Sequence, residues 1–214
     1  MFDNFFSVNG PYARFMNWLW NMLVISVLWL ICSIPVVTIG AASTAAYYAV
    51  AKSIRHQNGT AAACFFSSFR SNFKQSALLT ALWGVILAVL LLECIYLYSD
   101  AGVPLAVLYL FYFLAAAAVA CGMYLWPCLS RFAKGSFALI QMSAILTFRH
   151  LITTIALLLL AAVCLLGIWL MPWGVLVFPG IAVYLQSFLM EPILLRYSPK
   201  PSEDDAEANK WYYQ

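Results

Sequence analysis

The chain has 214 residues, of which 65% are hydrophobic and only 9% charged, whereas soluble domains carry about a quarter charged residues. That balance excludes a water-soluble globular fold. The net charge of +3 is no argument for nucleic acid, because basic residues beside apolar runs are the usual record of membrane insertion.

Six apolar runs follow one another along the chain: Phe15 to Ile34, Val36 to Ala51, Ala77 to Tyr98, Val103 to Leu129, Leu151 to Met171 and Val175 to Leu195. Because about 20 mainly apolar residues cross ~30 Å of hydrocarbon, the pattern predicts an all-α, polytopic transmembrane helix bundle. The first run lacks a basic leader and a small-x-small exit, so it reads as a retained span and not a cleaved signal. The second is the least hydrophobic and contains Thr38, Gly40, Ser43 and Thr44. Ser33 is a good N-cap and Pro35 a good first-turn residue, and Pro35 to Arg55 is long enough to cross. The expectation is therefore six membrane-depth helices, the alternative being five plus a re-entrant segment.

After the second run, Asn58-Gly59-Thr60 matches a glycosylation acceptor, but on the side predicted to be cytoplasmic it is a chance match. Ala61 to Lys74 places Phe65, Phe66, Phe69 and Phe73 at helical spacing, with Ser67, Arg70 and Lys74 between them. This predicts a short amphipathic helix lying in the cytoplasmic interface, with phenylalanines in the acyl boundary and cations toward the head groups. Phe132 to Phe148 is its counterpart in the other basic join.

The third run carries Glu93, and a carboxylate at membrane depth is a functional candidate by default. In the fourth, Ala116/Ala120 and Ala118/Gly122 give small-xxx-small spacing for close helix approach, most simply inside the bundle and alternatively between copies of the chain. Pro179-Gly180 in the last run is a candidate hinge. Glu191 lies one turn before Arg196, which can pair with it. The helical domain is expected to cover residues 1–197. Residues 198–214, with two prolines and four acidic residues, are expected to form a flexible cytoplasmic tail.

Each of the eleven Lys and Arg residues can be assigned to one face of the membrane. Ser99 to Gly102 and Pro172-Trp173-Gly174 carry none. Under the positive-inside rule the basic joins and the C-terminus are cytoplasmic, in the cell membrane. The basic joins also repeat: Lys52-Ser-Ile-Arg55, Gly59 and Phe69-Arg70 are echoed by Arg131-Phe-Ala-Lys134, Gly135 and Phe148-Arg149, and Trp126-Pro127 through Arg131 is echoed by Glu191-Pro192 through Arg196. This suggests helical hairpins in parallel repeat.

Six dispersed cysteines, with no C-x-x-C pair, and two histidines, His56 and His150, each beside an arginine, form no metal set. No phosphate-binding glycine loop, nucleophile elbow or paired-carboxylate arrangement occurs. Catalytic residues, cofactors and metals are accordingly not expected.

At Ser33-Ile-Pro-Val-Val-Thr-Ile-Gly40, the following Ala-Ala-Ser-Thr-Ala-Ala-Tyr-Tyr48, and Phe65-Phe-Ser-Ser-Phe-Arg-Ser-Asn-Phe-Lys74, the chain resembles the YesL family of bacterial membrane proteins. The likeness extends over nearly the full length. It implies a small polytopic protein of the cytoplasmic membrane, often encoded beside sugar-uptake and polysaccharide-utilisation systems. It supplies no catalytic residues, and Pro35, Thr38 and Gly40 carry over only as a motif. The functional expectation is a non-enzymatic protein in the lipid bilayer, accessory to carbohydrate uptake or its regulation, with a sugar-transport complex as partner. A small transporter or transporter subunit is the alternative, although Lys52 to Gly59 lacks the acidic and alanine positions of an importer coupling loop.

Overall fold

The computed structural model of the protein describes residues 11–99, 104–132 and 134–198. Among these the chain is helical, with no strand. The helices are α1 (Pro11–Ser33), α2 (Ile39–Ala49), α3 (Ala61–Ser99), α4 (Leu105–Arg131), α5 (Ser136–Arg149), α6 (Leu151–Leu170) and α7 (Phe178–Tyr197). Five of them, α1, α3, α4, α6 and α7, are long and apolar enough to cross a membrane. Their outward faces, such as Val85, Val89, Leu92 and Ile95 of α3 and Ile152, Ile155, Leu159 and Val163 of α6, are exposed. Hydrocarbon around the bundle suits these side chains, and helical winding keeps their backbone polar groups bonded within each segment.

The Val36–Ala51 run is not a long α-helix. It winds as a 3-10 turn (Val36–Thr38), then α2, then a π-type turn (Val50–Arg55). Pro35 sits before the 3-10 turn at φ −76° and ψ 119°, and the Thr38 hydroxyl donates to the carbonyls of Cys32 and Pro35 at 2.6 and 2.7 Å. These side-chain bonds and the proline bend the chain sharply out of α1. Ala41, Ala42, Ala45, Ala46 and Ala49 are fully buried, so α2 is a slim central helix on which larger side chains of α1 and α3 close.

The predicted interfacial helix is corrected by the structure. Residues 61–74 form no separate element but the first part of the 39-residue α3, because no breaker stands between Phe73 and Ala77. Phe65 is fully buried and joins the cluster of Ile25, Ala42, Ala46, Ala49 and Val50. It therefore packs on α2, away from lipid. Phe69 stacks between Phe65 and Phe73, while Ser67, Arg70, Ser71 and Lys74 stay exposed. The counterpart stretch does form a separate helix, α5, which folds back on α4 with Leu139 and Leu146 buried and the Ser143 hydroxyl 3.2 Å from the Cys121 thiol.

Both repeats are thus helix–turn–helix pairs, α2 with α3 and α4 with α5. In the first turn Gly59 has φ +84°, a conformation that suits glycine because it has no Cβ. They differ at His150, where φ −117° and ψ 54° end α5 and start α6; the first copy runs through the equivalent region unbroken. The Thr154 hydroxyl bridges that break by donating toward the carbonyls of Thr147 and His150, at 2.9 and 3.0 Å. Tyr124 of α4 meets the same hydroxyl at 3.0 Å.

Pro179-Gly180 is also corrected. The last helix begins at Phe178, so Pro179 occupies its first turn, where the missing N–H costs nothing. It is a helix start and not a mid-span hinge. The Gly180 N–H donates to Ser26 Oγ of α1 at 2.8 Å, and that hydroxyl lies 3.3 Å from the Val177 carbonyl. A Cβ on Gly180 would come within 2.5 Å of the Met22 carbonyl oxygen, so glycine lets the two backbones touch. The tail from residue 199 and the Asp100 join lie outside the described residues.

Candidate functional site: a buried ion pair between two cavities

Glu191, three percent exposed on α7, pairs with Arg131 at the end of α4. The sequence-predicted partner, Arg196, points to the exposed face instead. The reason is helical geometry: Glu191 faces inward with Met190 and Leu194, and the inward position there is filled by another helix's last residue. The second carboxylate oxygen accepts from Tyr47 Oη of α2 at 3.1 Å. Three helices thereby meet on one carboxylate. A charge this deep is costly unless it is both paired and hydrogen-bonded, and here it has both kinds of partner.

Beside this group, Arg55 Nη1 donates to the Ser187 carbonyl at 2.6 Å, and its guanidinium lies 4.6 Å from the Phe188 ring centre. Gln75 Nε2 donates to the Lys134 carbonyl at 2.7 Å, and Arg149 lies over the Tyr197 ring. The basic residues at the ends of α4, α5 and α7 therefore gather at one end of the bundle. Burial lowers the His56 pKa from its ordinary value, an effect that Glu191 opposes and Arg55 and Arg131 reinforce.

Two cavities adjoin the pair. The larger, about 510 Å³, lies among α1, α2, α3, α4, α6 and α7, with Trp29, Trp83, Trp126, Pro179 and Tyr47 on its wall. Its polar atoms are few and mostly engaged: Trp29 Nε1 donates to Ser43 Oγ at 3.1 Å, Trp83 Nε1 to the Ala118 carbonyl at 3.0 Å, and Gln186 Nε2 to the Met123 carbonyl at 2.8 Å. The smaller, about 300 Å³, is lined by serines and amides of α3 together with Ser130 and Arg131. Tyr47 borders the first cavity and Arg131 the second; Glu191 joins them. Residue spacing alone gave no sign of Tyr47 or Arg131, since their role arises only where three separate helices cross.

The remaining candidates are dispersed. Gly40 belongs to the packing around the larger cavity, where a Cβ would overlap the Thr80 hydroxyl and the Trp126 ring. Of the small stripe of α4, Ala120 and Gly122 are buried, Ala118 is half-buried and Ala116 is exposed, and the Trp83 ring fills the space over Gly122. Pro35 and Thr38 shape the turn out of α1. Glu93 is exposed on the C-terminal half of α3 and lines neither cavity. Cys64, Cys94 and Cys128 are buried and all six cysteines are free. Among the described residues no three His, Cys, Asp or Glu side chains converge as a metal site would require.

The model of the family described as a protein of unknown function, DUF624, matches residues 22–94. The matched stretch runs from the middle of α1 through α2 into the C-terminal half of α3, so it includes Tyr47 but neither Arg131 nor Glu191. No curated protein and no solved structure matches the chain.

Proposed function

We propose that this integral membrane protein is a YesL-type, non-enzymatic accessory of carbohydrate uptake or its regulation, held in the cell membrane with its basic helix ends and C-terminus in the cytosol. The observation that carries the non-catalytic reading is the commitment of Glu191 to Arg131 and Tyr47. Both oxygens of that carboxylate are engaged, one by a guanidinium and one by a phenol, so it serves to tie three helices together and offers no unoccupied oxygen to a substrate. The carbohydrate assignment is supported by the resemblance over Ser33 to Tyr48 and Phe65 to Lys74. Crosslinking in native membranes followed by affinity purification tests it: components of a sugar-transport complex should copurify. Recovery of the chain alone, or with unrelated complexes, would overturn the accessory role.

A second reading, a small carrier, is favoured by one observation. The larger cavity and the polar cleft share the Tyr47–Glu191–Arg131 connection, an arrangement that could separate two compartments. Purified protein in liposomes would then move a labelled sugar, and replacing Arg131 and Glu191 together by methionine would abolish flux while the protein still folds. Equal flux in empty and protein-containing vesicles would dismiss the carrier.

A further inference from the structure

The smaller cavity has a chemistry unlike the rest of this apolar chain. Its wall includes Ser67, Ser71, Asn72, Gln75, Ser130 and Arg131, and no carboxylate borders it. Arg131 has a side chain only 2% exposed and is paired with Glu191, and it also borders this cleft, so the ion pair forms part of the cleft's surroundings. Lys52 adds a second cation beside the wall, donating to Tyr48 Oη at 3.1 Å. Asn72 Nδ2 is held by Ser68 and Ser71 at 3.2 to 3.3 Å, which fixes the floor. The volume of about 300 Å³ lies at the small end of ligand sites.

We propose that this cleft binds a phosphate group carried on a small body. The planar guanidinium of Arg131 matches phosphate oxygens, although Glu191 behind it offsets part of its charge. The Ser67 hydroxyl at the rim can rotate to donate, those of Ser71 and Ser130 now donate to the Ser68 and Pro127 carbonyls and would turn to meet a ligand, and no carboxylate lines the wall itself. A divalent cation would find no ionised oxygen on this wall. The phosphate has two sources with the same chemistry, a soluble phosphorylated metabolite or the head group of an anionic lipid. Because Arg131 also holds Glu191, occupancy of the cleft acts on the ion pair that borders the larger cavity.

The test uses the full chain. Its thermal-unfolding midpoint is titrated with inorganic phosphate against chloride at matched ionic strength in a neutral detergent, and separately measured in nanodiscs of phosphatidylcholine with and without phosphatidic acid. Ser67→Asp places a carboxylate at the exposed rim, and Ser130→Asp is the second variant should the first fail to fold. A saturable, phosphate-specific rise that the aspartate weakens by about tenfold supports the site with a soluble ligand. A rise confined to phosphatidic acid bilayers and lost in the variant supports it with a lipid ligand. Identical responses to phosphate and chloride together with no effect of phosphatidic acid, or a response that both variants retain in full, would overturn the proposal. Copurification of a transport complex tests the accessory role separately, and neither outcome decides the other.

Discussion

Glu191 concentrates the electrostatic risk of this bundle in one side chain. Removing one partner of a buried pair leaves an uncompensated charge and costs about 3–5 kcal/mol, whereas replacing both by apolar residues of similar volume is often neutral. Arg131→Ala should therefore lower stability sharply in detergent unfolding assays, and the Arg131→Met/Glu191→Met double variant should recover most of the loss. A double variant as unstable as the single one would mean that the pair contributes little beyond packing. The glycines give a second contrast. Gly40→Ala and Gly180→Ala force a Cβ into Trp126 and Thr80, or into the Met22 carbonyl, and should destabilise by about 1–3 kcal/mol. Gly84, with open space around its missing Cβ, should instead gain up to about 1 kcal/mol as alanine, because glycine is the weaker helix former. The same unfolding series measures all three. Glu191 and Gly40 stand out in the sequence by residue type, yet their partners do not, since Arg131 and Trp126 lie far away along the chain.

At the level of elements, two similar sequence stretches take different forms. Phe65 to Lys74 runs on into the following span, while Ser136 to Arg149 stops at His150. Amphipathic spacing made both look like interfacial helices, but periodicity reports which face is apolar and not what covers it. Alanines of α2 cover Phe65, and α4 covers Leu139 and Leu146. Spin labels at Ala63→Cys and Leu91→Cys, in a background free of native cysteines, should give a narrow distance near 42 Å if α3 is one rod at about 1.5 Å per residue. A short, broad distribution would indicate a joint near Gln75. The turn at Gly59 was legible from sequence because its φ of +84° suits a residue without a Cβ, whereas Gly135 sits at φ −63° with open space around it and marks its turn without being required there.

For the whole molecule, the charge pattern predicts orientation. A reporter fused at Gly135 should be cytoplasmic, and cysteines at Gln57 and Val37 should be labelled from opposite sides of the membrane if the Val36–Arg55 segment crosses. Labelling of both from the cytosolic side would make that segment re-entrant. By itself the sequence determined the apolar surroundings, the helical class and the five longest apolar runs that become long helices, while it also expected a sixth membrane-depth helix from residue 36 onward, because hydrophobic length and charge act locally along the chain. Only the tertiary structure decided how residues 36–55 wind, that residues 61–74 continue into a span, that Pro179 starts a helix, and that Glu191 binds Arg131 and Tyr47. Those outcomes depend on which side chains several helices bring to one point, and in a chain this uniformly apolar, spacing offers many equivalent contacts from which close packing and the need to neutralise a buried charge select one.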